Sequence, residues 1–194
     1  MTTLNIVGFA GSFSVPSRTR SVVETAVELA SERFDVVGSV FDLGEIGPSL
    51  GLARQLGDLE PQARELVNSM IAADALVIAS PVHKGSYSGL FKHVFDLLDP
   101  GMLQAKPILL AACGGGDRHA LVIEHQLRPL FAFFEAQSLG TGIYASDREF
   151  VGGKLADEAA RARLSRAVDQ FAPFLPARSK ADTPVIPVAA LTAL

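Results

Sequence analysis

Residues 11–20 read Gly11-Ser12-Phe13-Ser14-Val15-Pro16-Ser17-Arg18-Thr19-Arg20, which brings four hydroxyl residues and two arginines into ten positions. A helix entered at Ser17 presents unpaired backbone N–H groups and the positive end of its dipole. Hydroxyls add donors there, and arginine adds a planar charged fork. Ser12, Ser14, Ser17, Arg18 and Thr19 together make a cradle suited to a phosphate monoester. The dinucleotide pattern G-x-G-x-x-G is missing, because only Gly8 and Gly11 stand near the turn. No G-x-x-x-x-G-K-[ST] run occurs either, which excludes a P-loop here. The plain alternative is a Ser/Thr-rich helix cap carrying surface arginines.

Two further segments have binding chemistry. In Pro81-Val82-His83-Lys84-Gly85-Ser86 the proline stiffens the turn and Gly85 lets the backbone approach a ligand closely. Amides on such a turn bond the polar edge of a heterocycle while the turn lies against its face. The alternative is a strand-to-helix turn capped by Ser86 or Ser88. His83 touches a ring or a phosphate, or is merely solvated; Lys84 neutralises phosphate charge, or is an ordinary surface lysine. Gly114-Gly115-Gly116, followed by Asp117-Arg118, removes side chains from a pocket wall and exposes N–H groups. Flexibility alone is the competing explanation. No HExxH, no G-x-S-x-G and no paired metal-ligand spacing occurs, and Cys113 has no histidine partner in sequence. Cys113 therefore reads as a small core residue. No catalytic side chain and no metal site are predicted, which leaves the chemistry to a bound ring.

These segments need elements to hold them. The chain has 194 residues, 48% hydrophobic and 20% charged, which predicts one compact domain and excludes general disorder. A net charge of -4 leaves no broad basic face for a nucleic-acid backbone. One cysteine excludes a disulfide framework, and no apolar run reaches the roughly 18 residues of a membrane span. The N-terminus lacks a charged n-region, so no secretory signal is predicted. The expectation is a cytoplasmic protein without nucleic-acid or membrane partners.

Strand-length apolar runs alternate with helical periodicities, which predicts an α/β fold with a doubly wound parallel sheet in three layers. Strands are expected at 4–10, 35–41, 75–80, 107–112 and 139–144. Helices are expected from Ser17, from Pro61, after Ser86, over 118–136 and over 154–171, with an unshaped Gly/Pro-rich loop over 43–57. Right-handed crossovers favour a five-stranded order of 2-1-3-4-5. Ligands then bind beyond the carboxyl ends of strands one, three and four, which are the loops 11–19, 81–87 and 113–118. Pro129 cannot donate to the carbonyl of His125, so a kink or a π-type bulge is expected there. The domain is expected to span 1–174. A proline-rich tail over 175–194 is expected to be disordered or laid on a neighbouring subunit.

With these loops in place, the sequence resembles the NAD(P)H-dependent FMN reductases of the flavodoxin-like superfamily. It is most similar to those serving two-component alkanesulfonate or methanesulfonate monooxygenases. The resemblance rests on Gly11-Ser12 with Ser17-Arg18-Thr19, on the run from Ser80 to Lys92, on Lys106 to Leu110 and on Gly114 to Gly116, and covers roughly residues 4–172. It implies that Ser12, Ser14, Ser17, Arg18 and Thr19 hold the FMN phosphate. Pro81, Val82, His83, Lys84, Gly85 and Ser86 would contact the ring and its side chain. Gly114, Gly115 and Gly116, with Arg118, would border the other edge. His83 stands where relatives often carry a tyrosine. His125 occupies the place of a residue inserted in an interrupted interface helix, a feature that goes with flavin as a released substrate. The resemblance further implies NADH or NADPH as reductant, an FMNH₂-dependent monooxygenase as partner, and a homodimer or homotetramer. Two other readings remain open: an enzyme with FMN permanently bound that reduces quinones or azo compounds, and a flavodoxin-like electron carrier.

Overall fold

The computed structural model describes residues 3–178. Strands β1 (Leu4–Ala10), β2 (Val36–Asp42), β3 (Ala75–Pro81) and β4 (Pro107–Gly114) pair in parallel in the order β2-β1-β3-β4. β3 and β4 are buried almost throughout, as apolar strands covered on both faces must be. Beside β4 lie two short parallel strands, β5 (Gln137–Ser138) and β6 (Ile143–Ser146). The single strand expected over 139–144 is thus two: one half, β5, lies before the expected start, and the other, β6, takes up its last two residues and runs on to Ser146. Between its halves the backbone is served by side chains: the Arg128 guanidinium donates to the carbonyls of Leu139 (2.9 Å) and Gly140 (3.3 Å). The Gln170 amide accepts from the Thr141 N–H (3.0 Å) and donates to the Thr141 hydroxyl (2.6 Å). With that split strand as fifth member the order is 2-1-3-4-5, the flavodoxin-like doubly wound arrangement, whose winding reverses between β1 and β3.

Two helical layers sandwich the sheet. Helix α1 (Arg18–Arg33) starts at Ser17, whose side chain accepts from the Arg20 N–H, and buries Val22, Val23, Ala26 and Val27. It shares its face of the sheet with α6 (Glu158–Asp169), which contributes Leu164 and Val168. After β2, the stretch without a predicted shape holds α2 (Leu43–Ile46), a single turn closed by a capping box of Asp42 and Glu45, and 3₁₀ turns at Pro48–Leu52 and Leu56–Asp58. On the second face α3 (Pro61–Ala72), α4 (Gly89–Asp96) and α5 (Arg128–Phe133) deliver Val67, Met70, Phe91, Phe95 and Phe131 onto Phe9, Leu76, Ile78 and Leu110. Phe95 is the centre of this layer, with ring centroids 5.0 Å from Phe91 and 4.9 Å from Phe131.

Three further expectations meet the structure here. The helix expected over 118–136 is broken into a 3₁₀ turn at Asp117–His119, a π-helical turn at Ile123–Leu127 and α5. The Arg128 N–H donates to the Ile123 carbonyl five residues back, directly before Pro129, so the irregularity falls on His125. The helix expected from 154 begins only at Glu158. A hairpin of β7 (Phe150–Val151) and β8 (Lys154–Leu155) precedes it, turned by Gly152 and Gly153, both at positive φ. Finally, residues 175–178 lie on the domain itself. Leu175 is buried, the Asp35 N–H donates to the Pro176 carbonyl (3.0 Å), and the Arg178 N–H donates to the Arg33 carbonyl (2.8 Å). The remainder of the expected tail, 179–194, lies outside the described residues.

Candidate active site

Four loops meet at the carboxyl edge of the sheet, three of them those expected. Ser12, Ser14, Arg18, Thr19, Pro81, Val82, His83, Gly114 and Gly115 line one cavity of about 290 Å³. Lys84, Gly85, Gly116 and Arg118, with His119, line an open hollow of about 500 Å³ that shares Val82 and Gly115 with it. A third hollow, bordered by Phe13, Ser88 and Leu90, joins through Ser12, Ser14, Pro81 and His83.

Ser17 and Ser86 have other neighbours. Ser17 spends an acceptor on the cap of α1 (3.1 Å to the Arg20 N–H) and lines a neighbouring hollow that shares Ser14 and Pro16 with the 290 Å³ cavity. The Ser86 hydroxyl donates to Gln126 (2.9 Å), which ties the second loop to the π-helical turn. Ser88, rather than Ser86, caps α4, accepting from the Phe91 N–H.

Within the first loop the two arginines diverge. Arg20 is turned from the cavity, its guanidinium donating to Glu24 (2.8 Å), Asp42 (2.8 Å) and Glu45 (2.5 Å). Those carboxylates hold it firmly protonated. Arg18 remains in the cavity wall and pairs with Asp147. The Ser12 hydroxyl is buried and accepts from the Ser14 N–H (3.2 Å).

The second loop is a tight turn. His83 N–H donates to the Ser86 carbonyl (2.8 Å) and Ser86 N–H returns the bond (3.1 Å). Lys84 and Gly85 between them have φ of 53° and 86°, the signature of a type I′ turn. Because the amides of His83 and Ser86 close the turn on itself, those of Lys84 and Gly85 are the ones left outside its ladder.

In the third loop, Gly114 is needed where it stands: a Cβ there would lie 2.5 Å from the Tyr144 hydroxyl and 3.3 Å from the Val82 Cβ. That hydroxyl donates to the Gly116 carbonyl (2.5 Å) and pins the glycine run. Burial, reinforced by the Asp117 carboxylate, pushes the Tyr144 phenol upward, so it keeps its proton and its role as donor. Burial likewise pushes the Cys113 thiol up to about 12, with a smaller opposing effect from the Thr19 hydroxyl. A neutral, enclosed thiol is no nucleophile, as its sequence context indicates.

The fourth loop, Tyr144 to Glu149, was not among the expected ones. Strand β6 ends at Ser146, and Asp147 lies in the wall of the 290 Å³ cavity. The 3₁₀ turn that carries it is fixed by Glu149, which accepts from the Ser146 N–H (2.5 Å). The signal for this loop is its position: the strand before it neighbours β4, so its carboxyl end opens on the same edge.

Comparison with known proteins now adds the family. The family model for NADPH-dependent FMN reductase matches residues 4–150. The chain belongs to this family. It is 41% identical to an FMN reductase (NADPH) of Pseudomonas aeruginosa over 177 residues, 90% of this chain and 94% of that one. It is 39% identical to the NADH-dependent FMN reductase SfnF of Pseudomonas fluorescens over 171 residues, 88% and 91% of the two chains. The apo structure of an NADH:FMN oxidoreductase, EmoB, superposes with a TM-score of 0.77 at 27% identity, covering 98% of this chain and all of that one. The protein is thus an NAD(P)H-dependent FMN reductase that uses FMN and a reduced nicotinamide nucleotide. The donor set suits FMN: a helix entrance bearing hydroxyls and an arginine offers donors of the kind a phosphate takes, and Gly115 and Gly116 leave the wall of the cavity and its open hollow without side chains. Among the described residues, no helix is long and apolar enough to cross a membrane.

Proposed function

We propose that the protein transfers a hydride from NADH or NADPH to FMN and releases FMNH₂ to a partner flavin-dependent monooxygenase. The observation that carries this reading is the meeting, at one sheet edge, of the Arg18 cradle with the side-chain-poor cavity of the second and third loops. The chemistry is movement of hydride from the nicotinamide C4 to the flavin N5, with a proton from water completing FMNH₂.

The chain's own task is binding and orientation. Ser12, Ser14, Arg18, Thr19 and the first amides of α1 take the phosphate. Pro81, Val82, His83 and the amides of Lys84 and Gly85 meet the ring, and Gly114 to Gly116 admit it. Lys84, Arg118 and His119 give the open hollow a basic rim that suits the phosphates of the nicotinamide nucleotide. No side chain needs to hold a proton for the transfer.

Release of flavin is supported by the π-helical turn at His125, the kind of interruption that the resemblance to alkanesulfonate-linked reductases implies, and by its contact with the second loop through Gln126 and Ser86. The same resemblance favours sulfonate sulfur assimilation as the setting. Exposed Leu121 and Phe133, at the two ends of the same helical stretch, favour self-association as a homodimer or homotetramer.

The test is a visible spectrum of the purified protein, followed by NADH and NADPH oxidation as FMN is titrated. A colourless protein whose rate saturates with FMN is expected. A yellow protein that gains nothing from free FMN and needs a quinone or an azo dye overturns flavin release.

A further inference from the structure

A carboxylate in a cavity meant for phosphate needs an explanation. Asp147 lines the same wall as Ser12, Ser14 and Thr19, and its Oδ1 meets Nη1 of Arg18. Its Oδ2 stands 3.9 Å from where a Cβ on Gly115 would be, so both carboxylate oxygens lie between the first and third loops. Arg18 is the arginine of that lining, since Arg20 is bound to Glu24, Asp42 and Glu45 and lines the neighbouring hollow. The pair is half-exposed, 46% for Arg18 and 47% for Asp147, so water screens it and it adds little to fold stability. A pair of that kind is poorly explained as a structural strut. It is well explained as a contact made to be exchanged.

We propose that Asp147 is a built-in competitor for the flavin phosphate. It holds the Arg18 guanidinium while no flavin is bound and must yield it, at least in part, when phosphate docks. Phosphate binding then exchanges one anionic partner of Arg18 for another instead of satisfying a free cation. This exchange weakens FMN selectively through its phosphate and leaves the ring contacts untouched. FMN is thereby held loosely enough to depart, which makes Asp147 a determinant of flavin affinity. This inference rests on the reading of Arg18 as the phosphate ligand.

The experiment compares FMN with riboflavin, which lacks the phosphate, by quenching of flavin fluorescence on the full chain. The variants are Asp147→Asn, Asp147→Glu, Arg18→Ala and the double variant Arg18→Ala/Asp147→Asn. Asp147→Asn is expected to tighten FMN on the order of fivefold, the size of a screened ion pair, with riboflavin unchanged. Asp147→Glu should restore the weaker wild-type affinity. In the Arg18→Ala background the gain from Asp147→Asn should largely disappear.

If Arg18→Ala fails to weaken FMN relative to riboflavin, the phosphate assignment itself falls. If Arg18→Ala weakens FMN but Asp147→Asn leaves it unchanged or weaker, the assignment stands and the competitor is overturned, because Asp147 is then inert or orients Arg18. A gain from Asp147→Asn that persists undiminished without Arg18, or that extends to riboflavin, likewise overturns it.

Discussion

Cys113 lies in the wall of the 290 Å³ cavity, yet its thiol is chemically silent. Burial pushes its pKa up to about 12, against roughly 8.5 for a free cysteine. Native protein at pH 8 should therefore resist iodoacetamide and react at once after unfolding, which mass spectrometry reads directly. The same shift sets a pH dependence. Between pH 9 and 12 the unfolded thiol has lost its proton while the folded one keeps it. This contribution is thus complete below the unfolded pKa and is lost as pH rises through that window. Denaturant titrations at pH 8 and 10.5 should show a larger loss for wild type than for Cys113→Ala. The sequence already exposed this residue as non-nucleophilic, since no histidine accompanies it. It could not expose Asp147 or Tyr144, because a lone acid or phenol after an edge strand has no spacing that marks it. Only the register of β6 against β4, with Cys113 opposite Ala145, brings Asp147 beside Arg18.

Among the elements, α1 carries the candidate site because Arg18 and Thr19 of its first turn line the 290 Å³ cavity. Ser17 caps it through the Arg20 N–H. Ser17→Ala should cost about 1 kcal/mol of stability, the usual worth of such a cap, seen as a lower thermal midpoint. The loss of FMN affinity should be smaller than for Arg18→Ala, because the hydroxyl's acceptor serves the helix. Where local chemistry determined an element, the sequence was informative: Ser17 before α1, Pro61 opening α3, and Pro129 forcing the π-helical turn. Where tertiary partners decided, it was not. The break in the fifth strand depends on Arg128 and Gln170 arriving from distant helices. The hairpin before α6 is hidden because Lys154 and Leu155 fit a helical period as well as a short strand.

Across the whole molecule, the two faces of the sheet are packed differently. Aliphatic side chains with Phe34 and Phe171 fill the α1/α6 side, whereas the α3/α4/α5 side buries six phenylalanines among its aliphatics. Phe95 touches Phe9 from β1, Phe91 from its own helix, and Phe131 and Phe134 from the segment after the π-helical turn. Phe95→Ala should remove about 3–5 kcal/mol. It should also loosen the π-helical turn, which hydrogen–deuterium exchange over 120–134 would register as faster exchange than in α1. The doubly wound topology was readable because alternating strands and helices leave few layouts once crossovers are right-handed.

The interrupted fifth strand has one more consequence, which concerns solubility. A parallel sheet ends in a row of unpaired amides and carbonyls that can recruit a strand from another chain. Here that row is never continuous. β5 and β6 offer two and four residues, and between them the Leu139 and Gly140 carbonyls and the Thr141 N–H are already taken by Arg128 and Gln170. A foreign strand would find its template cut in the middle. This border of the sheet is blunted against edge-to-edge aggregation by two polar side chains whose partners are backbone atoms of the same chain.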